Sequence, residues 1–235
     1  MCGVGVLDDI RRAAFELRRT DPQEAVRVLR NAAAQGGDAE VLARGALGEI
    51  YLEEFGDLDG AEHEFRKVLE NAPGLTAAEI GLARTRREAG DFAAAEAGFE
   101  RALRGLEKDL REFPKESLPA GAEEVVLTLL EVAVELAELH AAAGHDKNVS
   151  VQIDENLLRW AAAEKLFDAE GDADDWIRFY SLWTELRLLT GRGQEALEAL
   201  PGAEQLPPEE RARLVDLVRD DLGLPPLVQL GKPRE

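Results

Sequence analysis

Apolar residues recur every three or four positions along most of the chain, which is the spacing of amphipathic α-helices. The most apolar run, residues 125–143, is interrupted by Glu131, Glu135 and Glu138. These three glutamates share one side of a helix. The run therefore predicts a long amphipathic helix with one polar face and not a membrane span.

Beyond residue 109 the same pattern predicts helices separated by turns that contain glycine or proline. Residues 113–121 predict a loop, and helices are predicted over residues 121–143, 154–169, 174–190, 194–200 and 208–222. The last helix has an apolar stripe of Leu214, Val215, Leu217 and Val218, so it is predicted to cap a helical stack. The proline-rich residues 223–235 predict an extended tail.

An internal repeat with a period of 34 residues links two segments of the N-terminal half. The matched positions are Gly56-Asp57 with Gly90-Asp91, Ala61 with Ala95, Phe65 with Phe99, and Val68-Leu69 with Ala102-Leu103. A period of this length predicts stacked helix pairs, because one pair cannot bury its apolar side alone.

These residues resemble the tetratricopeptide repeat (TPR) family, whose pattern places small and aromatic residues on two helices joined by a Gly-Asp-like turn. One pair supplies Leu47-Gly48, Tyr51, Gly56-Asp57, Ala61, Phe65 and Pro73, and the next supplies Leu82-Ala83, Gly90-Asp91-Phe92, Ala95, Phe99 and Ala102-Leu103. The chain departs from the pattern at one extra residue near Glu53 and at Arg86, which replaces an aromatic residue. A weaker pair runs from Leu7 through Asp21-Pro22 to Ala32.

The resemblance implies an all-α fold, in which antiparallel helix pairs stack as a right-handed superhelix, or α-solenoid. On this basis residues 1–109 form three TPR-like helix pairs. Residues 122–222 form irregular TPR-like pairs with a capping helix, and residues 223–235 form the tail. Small residues on the helices are expected to let the backbones approach, while aromatic side chains fill the space between neighbours.

The chain is acidic, with a formal net charge of -20 over 235 residues. Duplex binding draws its affinity from lysine and arginine that neutralise phosphates, so we expect no direct contact with nucleic acid. Anionic membrane surfaces are disfavoured for the same reason. Cys2 is the single cysteine, so no intramolecular disulfide can form, which favours a cytoplasmic location.

No motif for catalysis stands out in the sequence, which lacks Walker loops, dinucleotide fingerprints and paired-histidine zinc motifs. His140 and His145 are five residues apart, a poor spacing for one metal on a helix face, and are interpreted as a solvated helix end. The acidic runs that begin at Asp57 and Asp168 lack ligands that an EF-hand requires. We therefore expect no enzymatic activity, no cofactor and no metal.

An aromatic stripe in the C-terminal half leaves an alternative open. Trp176, Phe179, Tyr180 and Trp183 are spaced along one side of a helix, where they could face Trp160. Core packing is the favoured interpretation. In the alternative, these residues line a pocket and the chain is a helical metabolite sensor or enzyme.

In TPR stacks the first helix of each pair lines the concave face and meets the ligand. The resemblance therefore implies a set of partner-binding residues: Leu42, Glu49, Leu52, Glu53, Ile80, Arg84, Arg87, Glu131, Val134 and Glu138. The alternative is that they are ordinary solvated helix residues.

The acidic residues of this set favour a basic or amphipathic segment of a protein partner. We predict an interaction scaffold or adaptor that binds such a segment through its concave face. A TPR-type chaperone for an aggregation-prone partner is an alternative, and self-association into a homo-oligomer stays open.

Overall fold

Helices account for all of the regular secondary structure in residues 3–113, 122–142 and 173–226, the part of the chain that the computed structural model describes. The first helices are α1 (Gly3–Arg12), α2 (Arg18–Thr20), α3 (Pro22–Ala33), α4 (Gly37–Ile50), α5 (Leu58–Asn71), α6 (Thr76–Glu88) and α7 (Phe92–Glu112). They are followed by α8 (Ala122–Ala142), α9 (Ala173–Leu189), α10 (Gly193–Ala199) and α11 (Pro208–Asp221). The predicted all-α fold is confirmed. The helix predicted over residues 154–169 lies outside the described residues.

The chain divides into two compact units, Met1–Gly105 and Leu106–Glu235. In the first unit, α3 packs against α4, α4 against α5, and α5 against α6. Contacts that follow chain order are expected of stacked helix pairs. The division of residues 1–109 into three TPR-like repeats stays a prediction.

The helices α6 and α7 form an antiparallel pair with closely spaced backbones. A Cβ atom added to Gly98 would lie 2.8 Å from the Cβ atom of Ala83, and one added to Gly105 would lie 2.7 Å from the hydroxyl oxygen of Thr76. The residue that lies later in α7 thus contacts the residue that lies earlier in α6, so the two helices are antiparallel. Glycine is required on α7 because a side chain there would collide with the partner helix.

Phe65 of α5 lies between a glycine of α4 and a glycine of α6. Its side chain is 2% exposed. A Cβ atom added to Gly48 would lie 2.7 Å from the ring, and one added to Gly81 would lie 2.3 Å from it. The expected approach of a small residue to an aromatic ring is confirmed at Gly48. Gly81 extends the same contact to the following helix, so one ring joins three consecutive helices.

The Gly-Asp pairs of the repeat end one helix and begin the next. Gly56 and Gly90 have positive φ angles of 61° and 78°, a conformation that favours glycine. The side chain of Asp57 accepts a hydrogen bond at 3.0 Å from the backbone N–H of Gly60 and so caps α5. Asp91 accepts the equivalent bond at 3.2 Å at the start of α7.

A π-helical turn occurs in two places, each time in the first helix of a predicted pair. One turn covers Ala13–Leu17 between α1 and α2, and the other covers Tyr51–Phe55 directly after α4. The second turn lies where the sequence has one extra residue relative to the TPR pattern. The backbone N–H of Gly56 reaches the carbonyl of Tyr51, which widens the last turn of the helix. The helix thus absorbs the extra residue, and the Gly-Asp turn keeps its place.

In the second unit, α8 and α9 run parallel. The Nε atom of Arg178 donates to Glu131 Oε1 at 3.2 Å, and farther along both helices the charge of Glu138 acts on Glu185. Both pairs of residues are 47 positions apart in the sequence. Because the offset is the same at both places, the two helices advance in the same direction.

The offset of 47 also relates the buried positions of α8 and α9. The matched buried residues are Leu129 with Trp176, Val132 with Phe179, Leu139 with Leu186, and His140 with Arg187. The sequence repeats Gly144 as Gly191 at the same distance. The two helices thus share one spacing of buried positions, and the organisation of residues 122–222 as irregular TPR-like pairs stays a prediction.

The burial of residues on α11 and α8 confirms one sequence prediction and corrects two others. The helix α11 matches the predicted capping helix, and Leu214, Val215 and Val218 are buried in it. Leu217 is 46% exposed, so its predicted place in the apolar stripe is wrong. The expectation of a solvated His140 is also wrong, because the residue is only 9% exposed on a helix that is buried around most of its circumference.

Gly81→Ala is expected to lower the free energy of unfolding. The added methyl group would meet the ring of Phe65, which cannot retreat because it also packs against Gly48. Overpacking costs about 1–3 kcal/mol, whereas the gain in helix propensity is about 1 kcal/mol. Urea denaturation followed by circular dichroism measures the change.

Gly45→Ala is the matched control, because nothing lies within 4 Å of the added Cβ atom. Only the propensity gain applies there, so the free energy of unfolding should rise by about 0.5–1 kcal/mol. An equal rise for Gly81→Ala would contradict the packing role of that glycine.

Candidate partner-binding site

Four predicted partner-binding residues lie on α4 and the π-helical turn that follows it. Leu42 is 51% exposed, and the side chains of Glu49 and Glu53 are 55% and 53% exposed. Leu52 is half-buried and packs against the core of the first unit. This face of the helix therefore presents apolar and acidic side chains together.

An arginine from the first helix of the preceding pair lies among the carboxylates of this face. Arg18, the first residue of α2, donates from Nε to Glu54 at 2.8 Å, from Nη1 to Glu49 at 3.4 Å and from Nη2 to Glu53. Its side chain is 19% exposed. One guanidinium group thus serves three carboxylates, which we call the Arg18 cluster. The predicted acidic surface is partly neutralised from within the chain.

Desolvation raises the pKa of Glu49 above its ordinary value, and the charge of Glu53 raises the same pKa further. The charges of Arg18 and Arg84 act in the opposite direction. The Glu49 side chain is therefore partly desolvated although 55% of it is exposed. A carboxylate in such surroundings gains more from a nearby cation than a fully solvated one does.

The predicted residues of α6 do not form an open surface together. Ile80 is 6% exposed, so its predicted role in contacting a partner is wrong. Arg84 is half-buried and close enough to Glu49 to lower its pKa. The guanidinium carbon of Arg87 lies 6.0 Å from the centre of the Phe99 ring. Of these three predicted residues of α6, only Arg84 lies beside the Arg18 cluster.

In the second unit, Glu131 and Glu138 lie on the polar stripe of α8. Glu131 is half-buried and accepts hydrogen bonds from Arg178. Glu138 is exposed, and its charge adds to desolvation in raising the pKa of Glu185. Val134 is 6% exposed, so its predicted place on the binding face is wrong. The stripe carries one neutralised pair followed by one pair of like charges.

The aromatic stripe of α9 belongs to the protein interior. Trp176 and Phe179 are 8% and 2% exposed, and Tyr180 and Trp183 pack against the core that α10 and α11 form. The guanidinium carbon of Arg187 lies 5.0 Å from the centre of the Trp183 ring. The favoured interpretation of the stripe as core is confirmed for these four residues. Trp160 lies outside the described residues.

Sequence reasoning missed Arg18 and Arg178, the two cations that pair with predicted acidic residues. Neither stands out on its own helix, because the carboxylates that they bind lie 31 to 54 residues away in the sequence. One signal was available for Arg178, which stands opposite Glu131 at the offset of 47. No comparable signal marks Arg18, since the helix that carries it and the helix that carries its carboxylate partners have little sequence in common.

Comparisons with known proteins add little to this description. No family model matches the chain, and no curated protein matches it. Among solved structures, the assembly chaperone of RpL4 (Acl4), residues 1–338, is similar over 92% of this chain and 84% of that chain, with 16% sequence identity and a TM-score of 0.46. Similarity at this level neither identifies a family nor assigns a function. Within the described residues, none of the helices combines the length and the apolar composition that a membrane-spanning helix needs.

Arg18→Gln is expected to raise the pKa of Glu49 further, because the guanidinium group favours the charged carboxylate. When folding raises the pKa of a carboxyl group, the free energy of unfolding of the protein falls as the pH increases through that pKa. Because the pKa is raised further in the variant, its free energy of unfolding should fall by more. NMR titration of the glutamate carboxyl carbons measures the shift.

Arg27→Gln on α3 is the control, because Arg27 pairs with Glu24 on its own helix. It should leave the titration of Glu49 unchanged. If Arg18→Gln also leaves it unchanged, the Arg18 cluster does not form in solution.

Proposed function

We propose that the chain is a TPR-type protein-interaction scaffold that binds a basic or amphipathic segment of another protein. The binding face comprises Leu42, Leu52 and the carboxylates of the Arg18 cluster. The observation that supports this most is the state of Glu49 and Glu53, which stay half-exposed and share one guanidinium group. A partner cation would find acidic groups there that are already held in position.

Charge and apolar contact would act together on this face. Two carboxylates that share one cation retain negative charge, so a lysine or arginine of the partner is attracted to them. Leu42 offers exposed apolar surface on the same helix. A segment with basic and apolar residues on one side fits both features.

The proposal includes no catalytic step and no cofactor. The side chains of the face are carboxylates, guanidinium groups and leucines, which bind a partner through charge and burial. A chaperone that keeps its partner soluble would use the same chemistry. It would differ from an adaptor in that the partner becomes insoluble when the chain is removed.

The sensor alternative has less support. Trp176 lies in the interior and Trp183 packs against a core. A pocket formed by these two residues would require the core of α9, α10 and α11 to open. Core packing already accounts for their positions.

The double variant Glu49→Gln, Glu53→Gln is expected to lose the partner, because it removes both half-exposed charges while nearly keeping the size and shape of the side chains. Affinity capture from the native cell extract at low and moderate salt, with mass spectrometry of the bound proteins, measures this. A charge-dependent partner should also be weakened by salt in the wild-type sample.

The control Glu70→Gln, Glu100→Gln removes the same charge from the second helices α5 and α7. Both residues pair locally, Glu70 with Lys67 and Glu100 with Arg104. The control should retain the partner. Equal loss in both double variants would point to net charge alone, and retention in both would remove the Arg18 cluster from the proposed binding face.

A further inference from the structure

Gly45 is a glycine inside α4 for which the chain itself offers no packing reason. Glycine within a helix is destabilising relative to alanine, so it is expected where something must approach the backbone. At Gly48, Gly81, Gly98 and Gly105 a Cβ atom would come within 3.0 Å of a neighbouring residue. At Gly45 it would meet nothing within 4 Å, and the backbone is helical with no positive φ angle.

The position of Gly45 coincides with the candidate binding face. Leu42 precedes it by three residues and Glu49 follows it by four, so the three positions lie on the same side of the helix. Leu52 is one further helical turn along. Gly45 is half-buried and Leu42 is 51% exposed. The open space above the glycine thus lies between an exposed leucine and the acidic end of the face.

We propose that Gly45 is the point of close approach for a basic amphipathic helix of the partner protein. The absence of a side chain lets the two backbones come near each other, as small residues do at helix crossings. Apolar side chains of the partner then contact Leu42 and Leu52, and one of its cations meets Glu49 and Glu53. This inference rests on the proposed function and gives the partner segment a conformation and a crossing point.

Charge complementarity identifies the occupant as another protein and not a second copy of the chain. The formal net charge of the chain is -20, so two copies repel each other at long range. The carboxylates beside Gly45 retain negative charge after Arg18 and the nearby Arg84 are both counted, since Glu49, Glu53 and Glu54 outnumber these two cations. A basic segment of another protein is attracted to the same carboxylates.

Gly45→Leu in the full chain tests the inference. The probe is a fluorescent synthetic peptide of leucine and lysine, patterned as an amphipathic helix about 18 residues long, or five turns. A scrambled peptide of the same composition and a leucine-glutamate peptide serve as controls. Fluorescence anisotropy at low salt measures affinity, and thermal denaturation monitors the fold.

The variant is expected to bind the leucine-lysine helix about tenfold or more weakly, because a leucine side chain separates the two backbones. Its melting temperature should not fall, since leucine is the better helix former. Gly45→Ala should weaken binding to a smaller extent. Ala97→Leu, at an exposed position of α7 on a second helix, should bind like the wild type.

Four outcomes would overturn the inference. If Glu49→Gln, Glu53→Gln weakens binding but Gly45→Leu does not, the crossing point is wrong while the proposed function stands. If the wild type binds the helical and scrambled peptides equally, the inferred helix is wrong while a basic segment is still bound; if it binds neither peptide, the basic ligand of the proposed function falls as well. If sedimentation shows a wild-type dimer that Gly45→Leu dissociates, the occupant is a second copy.

Discussion

The arrangement of the first unit depends on one steric contact, the ring of Phe65 held between Gly48 and Gly81. A helix pair of this size cannot bury its apolar side alone, so its stability comes from contact with the next pair. The ring supplies that contact only where both flanking helices present a hydrogen atom in place of a side chain. Burial of an aromatic side chain contributes several kilocalories per mole at most, about 3–5 when judged by truncation to alanine. The glycines make this burial possible at two helices at once.

Close packing of the pairs also creates the charged face. Because the first helices lie side by side, Arg18 from one of them reaches carboxylates of the next. The π-helical turn at Tyr51–Phe55 holds Glu53 and Glu54 within reach of the same guanidinium group. An exposed ion pair contributes little to stability. The greater consequence is that the Arg18 cluster orders acidic side chains that would otherwise move freely, which lowers the entropy lost when a partner cation binds.

The fold was predictable from sequence where the evidence was local. The period of 34 residues and the Gly-Asp turns placed the helices of the first unit, since capping and periodicity act within a few residues. The rotation of each helix against its neighbours was not predictable, because it depends on packing between distant segments. That is why Ile80 and Val134, assigned to a binding face, are buried. The same dependence hid the Arg18 cluster, whereas the parallel register of α8 and α9 left a trace in the spacing of Gly144 and Gly191.

We propose above that the face around Gly45 and the Arg18 cluster binds a basic segment of the partner. Paramagnetic NMR of the full chain with a spin-labelled leucine-lysine helix tests it most directly, because the spin label broadens only the backbone amide signals near its binding site. The signals of Leu42, Gly45 and Glu49 should broaden first and recover when the label is reduced. Broadening confined to the second helices α5 and α7, or no broadening at saturating peptide, would show that the peptide does not bind at this face.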